Sequence, residues 1–170
     1  SEELRRAGIK VELGRPLEME SFRPWLKQVS SGIISPAIPW DHKTLNEIRR
    51  LGIPIKGEIS LAWDRLNSWP WIGITGTNGK TTVTHMLNHV FKSNQLKAPM
   101  GGNVGHAATE IALEIRKKNL IPDWLIMELS SYQLETAPEI APEIGIWTNL
   151  SPDHIERHGN FEAYGSIKQR

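Results

Sequence analysis

Residues 73–82 read Gly-Ile-Thr-Gly-Thr-Asn-Gly-Lys-Thr-Thr, and these residue types at this spacing suit the binding of phosphate. Glycines allow backbone N–H groups to close around anionic oxygens, and the positive end of a helix adds to the attraction. Lys80 can reach a terminal phosphate, and the Thr81 hydroxyl can ligate Mg²⁺. The glycines stand at 73, 76 and 79, whereas the common phosphate-loop pattern would place one at Ile74. We interpret the segment as a nucleotide site, and the alternative is a glycine-rich turn with a chance Lys-Thr pair.

A carboxylate follows a second strongly apolar segment. Glu128 comes directly after residues 124–127, at the end of a predicted strand, where an α/β sheet presents its ligands. Beside a phosphate loop this carboxylate is well placed to hold Mg²⁺, which prefers hard oxygen ligands. The alternative is a glutamate that simply ends the strand in solvent.

Three further segments could bind ligands. Residues 148–159 bring Asp153 and His154 to the end of another predicted strand, where either could bind a second cation. A single histidine is more commonly structural or surface-exposed, so both interpretations stay open. The glycine turn Gly101–Gly105 opens a predicted helix and could recognise an anion or an amide. Ser35-Pro36 ends a further strand at what would be a ligand-binding edge.

Alternating strands and helices position these groups. Apolar residues at helical spacing predict helices at 2–7, 42–51, 58–66, 80–93, 105–118 and 161–168. Short apolar runs predict strands at 9–13, 32–36, 53–55, 71–75, 124–127 and 144–148. This alternation predicts an α/β fold with a parallel sheet. We expect two parts, residues 1–67 and 68–170, which meet at a Pro-containing segment near residues 67–70.

Composition narrows the class of function. The 170 residues are 39% apolar and carry a net charge of +1, which gives no electrostatic case for nucleic acid or for an anionic membrane surface. The chain has no cysteine, which excludes disulfides and thiolate metal sites and is typical of a reducing cytoplasm. No apolar run approaches the roughly 20 residues that a membrane span needs. We therefore expect a cytoplasmic protein with no nucleic-acid or membrane partner.

Four motifs, in this order, resemble the Mur ligase family of ATP-dependent amino-acid ligases. They are GITGTNGKTT at 73–82, GGNVG at 101–105, ELSSYQLE at 128–135 and TNLSPDHIERHG at 148–159. The first is shared widely across the family, whereas the last two are similar to those of the member that adds D-glutamate. The resemblance continues upstream through residues 34–36 and 52–58 and so covers nearly the whole chain.

The resemblance implies a three-domain enzyme of peptidoglycan precursor synthesis, of which this chain holds two incomplete pieces. Residues 1–67 would be the end of a Rossmann-like, UDP-binding N-terminal domain, and residues 68–170 the first half of a central P-loop ATPase domain. The implied cofactors are ATP and Mg²⁺, and the substrates are UDP-N-acetylmuramoyl-L-alanine and D-glutamate. We expect a monomer, and an isolated fragment without ligase activity. The alternatives are another Mur or folylpolyglutamate-type ligase, or a module that binds nucleotide without catalysis.

The resemblance also assigns the ATP and metal sites. Lys80 would contact the γ-phosphate, Thr81 and Glu128 would ligate a first Mg²⁺, and His154 would ligate a second. Lys168 matches the lysine that the family carbamylates beside the second metal, although by pattern alone it is an ordinary surface lysine. The residues expected to surround ATP are Gly76, Thr77, Asn78, Gly79, Lys80, Thr81 and Thr82.

Two substrate contacts follow from the same resemblance. Asn103 would contact the muramoyl-peptide substrate, and Ser35 and Pro36 would lie against its UDP portion. The family usually has glycine after this Ser-Pro pair, whereas this chain has Ala37. A side chain there could crowd the nucleotide or restrict the backbone to negative φ.

Overall fold

The computed structural model describes residues 2–170, whose backbone alternates between strands and helices. The described residues divide into two units, one formed by residues 2–32 and 41–55 and the other by residues 33–40 and 56–170. The chain also forms a two-stranded sheet of β1 (Gly32–Ile34) and β2 (Ile55–Gly57). The predicted division at residue 67 stays a prediction.

The first unit contains α1 (Glu2–Arg6), α2 (Met19–Phe22) and α3 (Lys43–Arg50). Leu45 and Ile48 of α3 are buried, and the Thr44 hydroxyl donates to the Leu17 carbonyl oxygen at 2.9 Å. The strand predicted at 9–13 is wrong. Its apolar ends, Ile9 and Leu13, are exposed, and no strand in the described part of the chain pairs with it.

The second unit is built on a parallel sheet of four strands: β3 (Trp71–Thr75), β4 (Met100–Gly102), β5 (Leu125–Glu128) and β6 (Ile144–Trp147). The strand order is β4-β5-β3-β6. In this register Glu128 lies opposite both Ile74 and Gly102, and Trp147 lies opposite Thr75. The carboxyl ends of all four strands therefore meet at one edge of the sheet, the edge at which α/β sheets bind ligands.

Helices cover both faces of this sheet, which explains why β3 and β5 are buried along their whole length and apolar up to their last residues. On one face, α4 (Glu58–Leu66) and α6 (Ala108–Lys118) pack against Trp71, Leu125 and Met127. On the other, α5 (Lys80–Ser93) packs against Ile72, Ile74 and Ile126. Three shorter helices follow: α7 (Ser131–Glu135), α8 (Ile155–His158) and α9 (Phe161–Gln169).

The long elements agree with the sequence predictions, as do the short α1 and β1, whereas four other short elements were missed. The bounds of α4, β3 and α5 match the predicted 58–66, 71–75 and 80–93. The α2, β4, α7 and α8 elements were not predicted, because three to five residues are too few to show a period. None of the helices in residues 2–170 has both the length and the apolar composition needed to cross a bilayer.

Candidate functional site

The glycine loop, residues 76–79, joins β3 to α5 and presents the start of that helix to ligands. Gly79 is the N-cap residue at φ 81° and has no side chain with which to cap the helix. The first N–H groups of α5 therefore remain available to an anion, and the helix dipole favours one there. The Lys80 ammonium donates to the carbonyl oxygens of Gly76 (2.9 Å) and Thr77 (2.8 Å), so a cation lies against the same loop.

Asn149, which the sequence analysis did not single out, makes hydrogen bonds to the backbone of this loop. Its side-chain amide accepts from the Asn78 N–H and donates to the Asn78 carbonyl, both at 3.0 Å. Its carbonyl oxygen accepts from the Thr77 N–H at 3.0 Å, and the Thr148 hydroxyl donates to the Asn78 carbonyl at 2.7 Å. The N–H groups of Thr77 and Asn78 are thus bonded within the protein. The N–H groups at the start of α5 are the ones that remain available to an anion.

Glu128 is where two predicted site residues meet. Its carboxylate is 1% exposed, accepts from the Thr81 hydroxyl at Oε2 and accepts from the Asn103 amide at Oε1, both at 2.9 Å. Asn103 also donates its backbone N–H to the Glu128 carbonyl at 2.9 Å. Gly102 makes this approach possible, because a Cβ there would collide with the Glu128 carbonyl oxygen. The interpretation of Glu128 as a solvated strand end is therefore wrong.

The donors around Glu128 fit a magnesium ion. A carboxylate and a hydroxyl are hard oxygen ligands, and Mg²⁺ usually completes its shell with water and substrate phosphate. No group of three or more histidine, aspartate or glutamate side chains suited to a metal occurs within residues 2–170, so protein ligands alone do not form a full cage. Thr81 and Glu128 can thus supply part of a coordination shell, to which a bound nucleotide would add phosphate oxygens.

His154 has polar neighbours other than Thr81 and Glu128. It opens α8 with a left-handed backbone at φ 51°, and its Nδ1 is 3.3 Å from the Tyr132 hydroxyl oxygen. Its Nε2 is 3.5 Å from Asp153 Oδ2. Within the described chain no hydrogen bond joins His154 to Thr81 or Glu128. The structure therefore joins the first two predicted metal ligands by a hydrogen bond, whereas His154 contacts Tyr132 and Asp153.

Lys168 is buried, so the pattern-based interpretation of a surface lysine is wrong. The side chain belongs to α9, is 7% exposed and donates to the Gly76 carbonyl (3.0 Å) and the Thr75 hydroxyl (3.3 Å). Neither partner is a carboxylate. Burial, and to a smaller extent the nearby Lys80 charge, lower the pKa of Lys168 to about 8, while Asp153 opposes the shift. A large fraction of this amine is therefore neutral in weakly alkaline solution.

Tyr164 is a second residue that the sequence analysis missed. It is among the most buried side chains, and its hydroxyl is 3.1 Å from the Thr77 hydroxyl of the glycine loop. That Thr77 hydroxyl also accepts from the Ser151 N–H at 3.0 Å. Burial raises the pKa of Tyr164, which keeps the phenol neutral. The only signal in the sequence is its position four residues before Lys168, on the same face of α9.

The predicted uridine-side loop, residues 35–38, lies against α8. The Ser35 hydroxyl accepts from the Ala37 N–H at 3.3 Å. Ala37 is not among the residues with positive φ, so its side chain causes no backbone strain. The Arg157 guanidinium donates to the carbonyl oxygens of this loop. Ser35 and Pro36 thus have their own supporting contacts, separate from those of the glycine loop.

Comparison with known proteins identifies close relatives. The chain is 64% identical over 168 residues to UDP-N-acetylmuramoylalanine–D-glutamate ligase of Prochlorococcus marinus strain MIT 9313, which covers 98% of this chain and 36% of that protein. It is 58% identical over 166 residues to the ligase of the same name from Synechococcus sp. strain CC9902, with 97% and 36% covered. The chain therefore spans about a third of the length of the curated relatives that it matches.

Solved structures support the fold. The MurF ligase of Thermotoga maritima in complex with ADP matches with a TM-score of 0.50 at 19% identity, over 85% of this chain and 40% of that one. A UDP-N-acetylmuramoyl-L-alanyl-D-glutamate–2,6-diaminopimelate ligase matches with a TM-score of 0.52 at 19% identity, over 84% and 38%. The model of the Mur ligase middle domain matches residues 74–170, which is more than half of the sequence. The chain therefore belongs to the Mur ligase family.

Proposed function

We propose that the protein containing this chain is an ATP-dependent ligase that adds D-glutamate to UDP-N-acetylmuramoyl-L-alanine during peptidoglycan precursor synthesis. The observation that carries the proposal is the buried Glu128 carboxylate, which Thr81 and Asn103 share. Thr81 belongs to the helix that would bind phosphate, and Asn103 to the turn that would face the acceptor substrate. One carboxylate therefore links the two reactants of a phosphoryl transfer. The printed names of the 64% and 58% identical relatives support the choice of D-glutamate.

The domain assignment belongs to the same proposal. Residues 1–67 would be the end of a Rossmann-like, UDP-binding domain, and residues 68–170 the first half of a P-loop ATPase domain. The strand order β4-β5-β3-β6 supports the second assignment, because the chain places β4 and β5 on one side of β3 and then crosses to β6 on the other side. Ligands in such sheets bind where the connections diverge, at the carboxyl ends of the strands.

In the proposed reaction, the γ-phosphoryl group of ATP passes to the terminal carboxylate of the muramoyl-alanine substrate and forms an acyl phosphate. The amine of D-glutamate then attacks the acyl carbon, and the tetrahedral intermediate expels phosphate to leave an amide. Lys80 and the first N–H groups of α5 would hold the transferred phosphate, while Asn103 orients the acceptor. Mg²⁺ held by Thr81 and Glu128 would neutralise phosphate charge. This chemistry needs positioned charge and no side-chain nucleophile.

A second cation site is proposed near Lys168 and His154. With its pKa lowered to about 8, the Lys168 amine can attack carbon dioxide, losing one proton to solvent and forming a carbamate. A carbamate is an anionic oxygen ligand, whereas an ammonium repels a cation. We propose that the carbamate of Lys168 and the imidazole of His154 serve the second Mg²⁺.

The proposal is tested by offering amino acids in turn to the full-length polypeptide with ATP, Mg²⁺ and UDP-N-acetylmuramoyl-L-alanine. We expect product and phosphate release with D-glutamate, and at least about a hundredfold lower kcat/KM with L-glutamate or L-lysine. Product with another amino acid and none with D-glutamate would refute the assignment in favour of another Mur or folylpolyglutamate-type ligase. We also expect a cytoplasmic monomer.

A separate measurement concerns the 170-residue chain alone. Its glycine loop is held by contacts within the chain, which supports binding of nucleotide without the rest of the protein. We expect calorimetry to detect Mg-ATP binding and an assay to detect no ligation. Ligation by this chain would contradict that expectation.

A further inference from the structure

The guanidinium group of Arg157 makes five hydrogen bonds within the protein. Its side chain is only 10% exposed. Nε and Nη2 donate to the same Glu135 carboxylate oxygen at 3.0 and 2.6 Å. The guanidinium carbon, Cζ, also lies 4.9 Å from the centroid of the Tyr132 ring. The positive charge is therefore paired with a carboxylate and packed on an aromatic face.

The remaining donors of Arg157 converge on one short segment. Nη2 donates to the carbonyl oxygens of Pro36 (3.3 Å) and Ile38 (2.8 Å), and Nη1 donates to that of Ala37 (3.3 Å). Three successive carbonyls can face one group only when the backbone curls around it. A planar guanidinium offers several donors in a fixed fork, whereas a lysine ammonium has no such geometry. Arg157 therefore fixes the shape of residues 36–38.

These bonds connect the loop to two motifs. Glu135 is the last residue of α7, and Arg157 lies in α8 three residues after His154. Every nitrogen of the guanidinium already donates within the protein, so most of the donor groups of Arg157 are committed to Glu135 and to residues 36–38. Its effect would reach a substrate through the loop that it shapes.

We propose that Arg157 is a positioning residue for the nucleotide-sugar substrate, and that it sets affinity for the uridine diphosphate portion by holding residues 35–38 in a binding conformation. This inference rests on the proposed function, because that function identifies the substrate. ATP would bind at the glycine loop, and within residues 2–170 no hydrogen bond joins residues 76–80 to residues 35–38 or to Arg157. Arg157 should thus affect one substrate and not the other.

The test compares Arg157→Lys with wild type in the full-length polypeptide, varying UDP-N-acetylmuramoyl-L-alanine and ATP separately. We expect the KM of the UDP substrate to rise about tenfold, the KM of ATP to change less than about twofold, and kcat to stay within about threefold. Glu135→Gln leaves the carbonyl contacts in place and should raise the same KM by about threefold. Arg116→Lys, on the exposed side of α6, is the matched control and should change nothing.

Each outcome decides between positioning and other roles. If both KM values rise by the same factor, or if kcat alone falls, Arg157 supports the fold or α8 in general, and the inference is overturned. An unchanged KM for the UDP substrate overturns it as well. Should Arg157→Lys fold poorly, as judged by its thermal unfolding midpoint, Glu135→Gln still gives the KM comparison. Failure of the proposed function is recognised independently, since wild type would then make no product with D-glutamate.

Discussion

The glycine loop at 76–79 and the loop at 35–38 are each held in one conformation by side chains, but the side chains differ in kind. Each loop follows a strand, and each is hydrogen-bonded by side chains from far along the chain. The glycine loop is bound by the neutral amide of Asn149, 71 residues from Asn78. The other loop is bound by the charged Arg157, about 120 residues away. A motif therefore marks where a ligand would bind, while a distant residue sets the shape of the loop.

The two loops differ most in charge. Two lysines, Lys80 and Lys168, donate to the carbonyl oxygen of Gly76, and both are bonded to neutral oxygens. At the other loop the Arg157 charge is balanced by Glu135 at 2.6 Å. Unbalanced positive charge favours a polyanion such as a triphosphate, whereas a balanced pair supplies shape with little net field. Substitutions at the glycine loop should consequently have the larger effects.

The largest effect is expected from Gly76→Ala. A Cβ at Gly76, whose φ is 138°, would collide with the Thr148 hydroxyl and lie 3.1 Å from the Asn149 nitrogen. Overpacking and backbone strain together should cost about 3 kcal/mol of unfolding free energy. Gly79→Ala is the matched control, because its φ is 81° but no atom lies within 4 Å of the added Cβ. The thermal unfolding midpoint of Gly76→Ala should be well below that of Gly79→Ala. Equal midpoints would show that the Thr148 side chain moves away from the added methyl group.

Lys168 should make the free energy of unfolding depend on pH. Its pKa is about 8 in the folded chain and 10.5 in an ordinary lysine, so between these values the unfolded chain binds more protons. Unfolding free energy should therefore rise with pH from about 8 to 10.5, by at most about 3 kcal/mol. Urea unfolding in carbon-dioxide-free buffer should show this rise in wild type and in the exposed control Lys117→Met. In Lys168→Met the unfolding free energy should vary less with pH. If it varies as in wild type, Lys168 is not the source of the pH dependence.

Asn149→Ala removes the amide that clamps the glycine loop. Losing two hydrogen bonds to Asn78 should raise the KM of ATP about tenfold, because the loop must then be ordered by the nucleotide itself. The KM of the UDP substrate should stay nearly constant, the reverse of the result expected for Arg157→Lys. Asn94→Ala, which removes an exposed amide from the end of α5, is the control. If both KM values respond equally to Asn149→Ala, the two loops are not independently supported.

The comparison also shows what the sequence can predict. The glycine loop, β3 and α5 were predictable because their signals are local: a buried apolar run, glycines, and fourteen residues at helical spacing. Position after an apolar strand similarly identified Glu128. Asn149 could not be found in this way, because its role depends on contacts between segments about 70 residues apart. Only its place directly after a predicted strand marked it.

Burial was the second quantity that the sequence did not reveal. In α5, the apolar residues Met86 and Val90 stand four positions apart, a spacing that favours burial on one face, but both are exposed, whereas Thr84 is fully buried. Thr84 can be buried because its hydroxyl donates to the Lys80 carbonyl at 2.9 Å. Lys168 is buried for a related reason, since oxygens of the glycine loop accept from its ammonium. Polar partners supplied by the fold decide such cases, and no periodicity in the sequence shows them.

The smallest effect is expected from Ala37→Gly, which restores the glycine that the family usually has after Ser-Pro. Ala37 is exposed, has no positive φ and contributes to loop 35–38 through its backbone alone. Glycine should cost at most about 1 kcal/mol through added freedom of the unfolded chain, and the KM of the UDP substrate should change less than about threefold. A much larger fall in that KM would show that the alanine methyl crowds the substrate. Binding at loop 35–38 would then depend on the size of its own residues as well as on Arg157. In that respect the loop would resemble the glycine loop at 76–79, and the difference between the two loops would be smaller.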